Sequence, residues 1–136
     1  MIWGCNWDVT CNFIKSDPRV NNNITDSSAY GNYKNVDVKA SDDPNETEII
    51  KAGGTADSNS VKLPTGKTTY TKTNNIFDLA GNCTEWTQEA HASYGRAKRG
   101  GAFSSTGPWM PVADRSEDYA SYPSSDRTSR PVLYVM

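Results

Sequence analysis

The sequence holds few side chains whose type and spacing could do chemistry. Its cysteines, Cys5, Cys11 and Cys83, are odd in number and form no Cys-x-x-Cys pair, whereas a disulfide framework uses an even number and zinc sites use such pairs. We therefore predict three reduced and mostly buried thiols. The single histidine, His91, has no partner at metal-ligand spacing, and we interpret it as a surface residue rather than a ligand or a base.

One carboxylate, Glu85, lies in a strand-like pattern. In the stretch CTEWTQEA, alternation places Cys83, Glu85 and Thr87 on one side and Thr84, Trp86 and Gln88 on the other. A carboxylate between apolar neighbours is either at the surface or has a cation or several hydrogen-bond donors as partners. Glu85 is therefore the residue of this stretch whose partner matters most.

The segment 102–128 has the composition of a binding loop. It is polar, lacks helical and strand periodicity, and carries Trp109, Tyr119 and Tyr122. Tyr and Trp mixed with Ser and Gly supply rigid amphipathic anchors and adaptable polar contacts, and aromatic residues dominate interface hot spots. The alternative, in which the aromatic rings pack inward, stays open for Trp109, whereas polar neighbours favour surface positions for both tyrosines.

The candidate contact residues share this segment and are mostly polar or aromatic. They are Ser104, Ser105, Thr106, Trp109, Met110, Asp114, Ser116, Glu117, Asp118, Tyr119, Ser121, Tyr122, Ser124, Ser125 and Asp126. Arg99 and Arg130 bracket the segment, and a guanidinium with five donors suits the holding of loop carbonyls or carboxylates. We predict a structural role for both, and for Arg115 a tether to Asp114 or Asp126.

A short helix is predicted over residues 1–15. Its buried face is formed by residues at helical spacing, namely Trp7, Thr10, Cys11 and Ile14. Asn6 is the candidate cap, and Pro18 ends the helix because the residue before proline avoids the α region. Since the chain opens almost directly on this helix, we expect a fragment that lacks an N-terminal part, with Met1 internal.

The remaining elements are predicted to be short strands between polar loops. Residues 16–60 indicate a long surface excursion, in which 36–40 and 46–50 are candidate brief strands. Residues 97–103 predict a strand broken at a Gly-Gly pair. Residues 129–136 predict another strand. Because it contains Pro131, we expect either that this strand lies at the edge of a sheet or that Pro131 is its first residue.

Composition favours one globular domain with a small core. The chain has 136 residues, of which 35% are hydrophobic, yet it keeps four Trp and seven Tyr; disordered chains lack such aromatics. The net charge of −2 gives no electrostatic footprint for nucleic acid. The sequence contains no run of about 18 apolar residues, which is the length that a membrane-spanning helix needs.

Three ordered blocks of the sequence form one pattern, namely NNIFDLAGNCTEWT at 74–87, RAKRGGAF at 96–103 and SRPVLYV at 129–135. This pattern resembles the formylglycine-generating-enzyme (sulfatase-modifying factor) family, and the stretch NWDVTCNFI at 6–14 resembles that family's helix. The resemblance implies an α+β, C-type-lectin-like fold over residues 1–136. Such a fold has short antiparallel strands, one or two helices and long irregular loops.

The resemblance argues against the family's own reaction. Its enzymes bind copper through two cysteines placed after Arg-Gly-Gly, and the resemblance puts Ser105 and Met110 at those positions. A hydroxyl and a thioether cannot form a thiolate pair. The family's non-haem-iron branch needs a histidine cluster, which His91 alone cannot supply. We therefore expect no catalysis, with an enzyme of altered chemistry as the alternative.

The resemblance also implies a possible calcium site. In the family's enzymes the matching block surrounds a calcium ion. Carried over to this sequence, the implied ligands are the side chains of Asp78 and Glu85 and the carbonyls of Gly81 and Cys83. Oxygen ligands suit this ion. The alternative is that Glu85 pairs with Arg99 or accepts backbone N–H bonds, and both remain open. No other cofactor is implied.

The branch of the family that fits best comprises the variable proteins of diversity-generating retroelements. In these proteins a window between Arg-Gly-Gly and the last strand is rewritten at adenine-containing codons, and here that window is 102–128. The implied function is a display domain that binds a protein or glycan target on a cell surface. It would belong to a phage tail, and so to the virion, or to a bacterial surface protein. A structural tail module without ligand is a further alternative.

Overall fold

The computed structural model describes residues 1–91 and 95–131. In these residues the chain is α+β, with one α-helix and three groups of paired strands. Helix α1 spans Gly4–Ile14, and the strands are β1 (Val38–Lys39), β2 (Ile49–Lys51), β3 (Lys72–Thr73), β4 (Ile76–Phe77), β5 (Thr84–His91), β6 (Gly95–Arg99), β7 (Arg115–Asp118) and β8 (Arg127–Thr128). Over the described ranges, no helix has the length and apolar character needed to cross a membrane.

Helix α1 forms close to its predicted position. Its N-cap residue is Trp3, which has extended backbone and makes no side-chain cap bond. Asn6 lies inside the helix, so the prediction that it caps the helix is wrong. The buried residues of the helix are Gly4, Trp7, Cys11 and Ile14. Their spacing gives α1 one apolar face toward the core, as the periodicity predicts.

Strand β5 lies inside a four-stranded mixed sheet with the order β7-β6-β5-β8. Strand β6 pairs antiparallel with β5 and with β7, whereas β8 runs parallel to β5. Farther along that edge, Ile2 bridges Thr87 in parallel, and the Gln88 N–H donates to the Ile2 carbonyl at 2.9 Å. This edge of β5 is therefore closed by β8 and by the first residues of the chain.

The two faces of the sheet have different surroundings. On one face Thr87 and Ala97 are fully buried, and Arg99 pairs with Asp8 of α1, so the helix covers this side. Strand alternation directs Trp86 to the opposite side, which we call the outer face. On this face Lys98 and Arg127 lie over the Trp86 ring.

The segment 16–60 is not the surface excursion that its polar composition predicts. Tyr30, Tyr33 and Val38 are each at most 1% exposed and belong to the core. Its strands β1 and β2 pair antiparallel, close to the two predicted stretches. The buried residues are too irregularly spaced to show a period, and turns rather than long elements bring them inward.

Strand β6 ends at the predicted Gly-Gly break. Gly100 and Gly101 have φ of +88° and +75°, and a Cβ on Gly101 would lie 2.1 Å from the Met110 carbonyl oxygen. The predicted strand 97–103 therefore holds only as far as Arg99. Most of the strand predicted at 129–136 lies outside the described residues, and its described part, 129–131, is not in a strand.

Candidate ligand-binding face

The segment 102–128 is fixed to the core near its middle by Val112. This side chain is fully buried, its N–H donates to Ser27 Oγ at 2.8 Å, and its carbonyl accepts Trp7 Nε1–H at 2.9 Å. The segment is thereby joined both to α1 and to the 16–60 region. On either side of this attachment lie two loops, which we call loop A (102–111) and loop B (119–126).

Two strands interrupt the segment that the sequence predicts to be without periodicity. Strand β7 separates Val112 from loop B, and β8 follows loop B. The candidate contacts Ser116, Glu117 and Asp118 therefore lie on a strand that pairs with β6. Sequence reasoning missed β7 because Arg-Ser-Glu-Asp contains no apolar side chain, so its position depends on backbone pairing alone.

Three aromatic side chains of the two loops face solvent. Trp109 in loop A is 80% exposed, and Tyr119 and Tyr122 in loop B are 47% and 59% exposed. The two tyrosine rings have centroids 5.2 Å apart at an interplanar angle of 57°. The structure thus decides the open question for Trp109 in favour of the surface and confirms surface positions for both tyrosines.

Loop B is held over the outer face by a cluster of charges. Asp118 Oδ2 accepts hydrogen bonds from Lys98 Nζ at 3.3 Å and from Arg127 Nη2 at 2.5 Å. Arg127 Nη1 donates to the Tyr122 carbonyl at 2.8 Å. Both cations lie over the Trp86 ring, at 6.0 and 5.7 Å from its centroid, where cation–π attraction adds to the ion pairs. The cluster connects three strands to loop B.

The other candidate contacts divide by exposure. The exposed ones are Ser104, Glu117, Ser121, Ser124 and Ser125, and the half-buried ones are Ser105, Thr106, Met110, Asp114, Ser116, Asp118 and Asp126. Among the half-buried residues, Oγ of Ser105, Oδ2 of Asp114 and Oγ of Ser116 are buried and have no hydrogen-bond partner within the described ranges. The exposed residues are the ones whose side chains are available to a large partner.

A cavity of about 530 Å³ adjoins loop B. It is lined by Met1, Trp3, Trp86, Gln88, Arg96 and Ala120. Sequence reasoning did not assign these residues to a site, although the alternation of β5 placed Trp86 and Gln88 on one side of a strand. Trp3 reaches the cavity because Ile2 pairs with β5, a long-range contact that no local pattern shows.

Glu85 is buried and forms its ion pair with Arg130. Arg130 Nη2 and Nε donate to the two carboxylate oxygens at 2.6 and 3.0 Å, and Nη2 also donates to the Phe77 carbonyl at 3.2 Å. Burial raises the pKa of Glu85, and Arg130 opposes this rise. The predicted pair with Arg99 is wrong, because the Arg99 guanidinium binds other groups.

The contacts of Arg99 join the helix to the segment. Arg99 pairs with Asp8 and donates to the carbonyls of residues 113 and 114 at 3.4 and 3.3 Å. These contacts confirm the structural role predicted for Arg99. The ion pair with Glu85 confirms the same prediction for Arg130. The predicted tether of Arg115 to Asp114 or Asp126 is wrong, because Arg115 pairs with Glu89 at 2.6 Å. The pairing of β7 with β6 brings Arg115 close to β5, which carries Glu89.

The arrangement around Asp78 and Glu85 does not fit a calcium ion. Asp78 Oδ1 accepts from the Thr71 hydroxyl at 2.7 Å and Oδ2 from the Gly66 N–H at 2.8 Å, while Arg130 occupies both oxygens of Glu85. Calcium requires roughly six to eight oxygen ligands. In the part of the chain that the structure describes, no group of three or more His, Cys, Asp or Glu could hold a metal. The geometry favours the ion pair over the calcium ligands Asp78, Gly81, Cys83 and Glu85.

The thiols are free, as predicted, but only one is buried. Cys11 is buried, Cys83 is half-buried and Cys5 is exposed. Burial raises the pKa of Cys11 to about 11 and also raises the pKa of Cys83, so neither supplies a ready thiolate near neutral pH. His91 is half-buried against the Glu117 carboxylate.

No protein-family model matches the chain, and no curated protein matches it, so the likeness to formylglycine-generating enzymes remains a resemblance. Among solved structures, the chain is similar to Treponema denticola variable protein 1, with 18% identity and a TM-score of 0.40. The match covers 74% of this chain and 34% of that one. The chain therefore spans about a third of the length of that protein, and the TM-score is too low for the match to support an argument about fold or function.

Proposed function

We propose that this chain is a non-catalytic display domain that binds a macromolecular target through loops A and B. The observation that carries the proposal is the exposure of three aromatic side chains, Trp109, Tyr119 and Tyr122, on loops that the core holds firmly. We further propose a C-type-lectin-like fold. In the proposed setting, the domain is the hypervariable receptor-binding end of a phage tail or bacterial surface protein, diversified by a retroelement.

Exposed aromatic rings on anchored loops are a favourable binding arrangement. Trp and Tyr bury large amphipathic areas while ordering only two side-chain torsions, and a hot-spot residue of this type contributes about 2 kcal/mol or more. Val112, Arg99 and Arg127 fix the backbone on both sides of the two loops. Little loop ordering is then left to oppose association.

A binding measurement with matched variants tests this function. Fluorescently labelled wild-type chain is incubated with a panel of bacterial cells, alongside a variant in which Trp109, Tyr119 and Tyr122 are all alanine. We expect adsorption to at least one strain and a loss of about 30-fold or more in the variant. Phe13→Ala is the control, because Phe13 is 54% exposed on α1 and lies outside both loops.

Each alternative predicts a different result. Unchanged adsorption by the folded triple variant would favour a structural module and overturn the proposed face. Tight copper binding with oxygen consumption in the presence of a thiol substrate would support the altered enzyme. Diversification has its own test in the neighbouring DNA, where we expect a near-copy of codons 102–128 that differs only at adenines, beside a reverse transcriptase gene.

A further inference from the structure

We propose that the cavity beside loop B is a subsite for an acidic sugar ring, such as a hexuronic acid residue of a glycan. This inference rests on the proposed function, because it names the class of target that the display face takes. The residues that carry it are Trp3, Trp86, Gln88 and Arg96, all of which lie outside loops A and B.

The cavity has the size and walls of a ring-binding site. Its volume of about 530 Å³ lies inside the range of about 300–1,000 Å³ that is usual for small-molecule sites. Trp3 is 50% exposed and Trp86 is half-buried, so two indole rings contribute apolar surface to one open cavity. The C–H face of a pyranose ring is apolar and flat, which suits packing against an indole.

The charges around the cavity favour an anion. Arg96 is exposed, its Nη1 donates to the Gln88 carbonyl at 3.0 Å, and it pairs with no carboxylate in the described parts of the chain. Most of its five donors are thus available for a bidentate bond to a carboxylate. Lys98 and Arg127 lie over the Trp86 ring and share a single carboxylate, that of Asp118. The positive charge that remains disfavours a cationic ligand.

The strand pairing next to the cavity favours a sugar over an extended peptide. A peptide that binds by strand addition needs an open sheet edge, but β8 and Ile2 already occupy the edge of β5 beside Trp86 and Gln88. The Gln88 side-chain amide donates to the Met1 carbonyl at 2.9 Å, which orients its oxygen as an acceptor for a hydroxyl. Arg96 and Gln88 together therefore offer donors and an acceptor at the rim of an aromatic cavity.

An NMR titration with two matched probes tests the inference. Methyl glucuronide and methyl glucoside differ only in a carboxylate replacing a hydroxymethyl group. We expect the glucuronide to shift the indole N–H signals of Trp3 and Trp86, with an affinity about ten-fold higher than that of the glucoside. The indole of Trp7, which is buried and bonded to the Val112 carbonyl, is the internal reference and stays unshifted.

Two variants locate the source of the preference. In Arg96→Gln we expect the preference for the glucuronide to fall to near unity, whereas Arg115→Gln, which alters an arginine already paired with Glu89, keeps it. The inference is overturned by equal affinity for the two glycosides, by no shift with either, by an unchanged preference in Arg96→Gln, or by tighter binding of the peptide Gly-Asp-Gly. If both glycosides fail while the aromatic triple variant still loses adsorption to cells, the display function stands without this subsite.

Discussion

At the scale of single residues, burial decides the behaviour of the ionisable groups more than their sequence neighbours do. Alternation identified Glu85 as a carboxylate that needs a partner, and this requirement follows from the sequence alone. The identity of the partner does not, because Glu85 and Arg130 are 45 positions apart and several arginines are equally plausible. By contrast, helical spacing placed Cys11 on the buried face of α1 from the sequence alone, whereas the general expectation of mostly buried thiols is wrong for the exposed Cys5.

Replacing Arg130 tests the buried ion pair. We expect Arg130→Met to lower the free energy of unfolding by about 3 kcal/mol at pH 7, because Glu85 is left as a buried charge without its cation. Since Arg130 lowers the pKa of Glu85, its loss moves the folded-state pKa further above the unfolded value, and ionised Glu85 becomes more costly. Near pH 4 Glu85 is mostly protonated in both states, because its unfolded pKa is about 4.3 and its folded pKa is raised, so the difference from wild type shrinks. Urea unfolding at pH 7 and pH 4 measures both values.

The matched control for this prediction is Arg115→Met. Arg115 and Glu89 form an exposed pair, with side chains 42% and 29% accessible, and exposed pairs contribute less than about 1 kcal/mol. We expect a small loss at both pH values. Equal losses for the two variants at pH 7, or a loss in Arg130→Met that does not change with pH, would contradict the prediction.

At the scale of elements, the sequence predicts those that have an apolar pattern. Helix α1 carries buried residues at helical spacing, and the stretch that forms β5 has strand-like alternation in its sequence; both were predicted close to their observed ranges. Strands β7 and β8 carry polar residues only and lie where they do because β6 and β5 offer backbone partners. A strand whose position is set by its neighbours needs no hydrophobic periodicity in its own sequence. For this reason the segment 102–128 showed no strand pattern.

The turn after β6 depends on space as well as on backbone freedom. Gly101 and Gly66 both have positive φ, but a Cβ on Gly101 would meet the Met110 carbonyl oxygen at 2.1 Å, whereas no atom of residues 1–91 or 95–131 lies within 4 Å of a Cβ on Gly66. We expect Gly66→Ala to lower the free energy of unfolding by about 1–2 kcal/mol through backbone strain alone. Gly101→Ala should lose about 2 kcal/mol more through overpacking. Urea unfolding of both variants measures the difference, and equal losses would be the contrary result.

At the scale of the whole molecule, the core is assembled from loops as much as from regular elements. Tyr30, Tyr33 and Val112 are fully buried, yet none of them lies in a helix or a paired strand. Composition indicated a core with long polar loops around it, and a core is present. It could not indicate that those loops supply much of the core, because the burial follows from long-range contacts.

The division between exposed loops and buried attachments predicts where substitution is tolerated. A variant with the exposed side chains of both loops changed to alanine should keep the free energy of unfolding within about 1 kcal/mol of wild type; the changed positions are Ser104, Trp109, Tyr119, Ser121, Tyr122 and Ser125. Val112→Ala alone should lose about 2 kcal/mol, because it empties buried space. Thermal or urea unfolding compares the two, and a larger loss in the multiply substituted variant would refute the prediction.

Under the proposed function, the attachment at Val112 also bears on how many different surfaces one scaffold could present. Because a buried residue and strand β7 stand between loop A and loop B, we expect a change in one loop to leave the backbone of the other in place, so that their effects add independently. Sequences of loop A can then be combined freely with sequences of loop B. If the two loops form the proposed binding face, the number of faces on such a scaffold grows as the product of the two sets of loop sequences rather than as their sum, and modest variation in each loop would yield a combinatorial library.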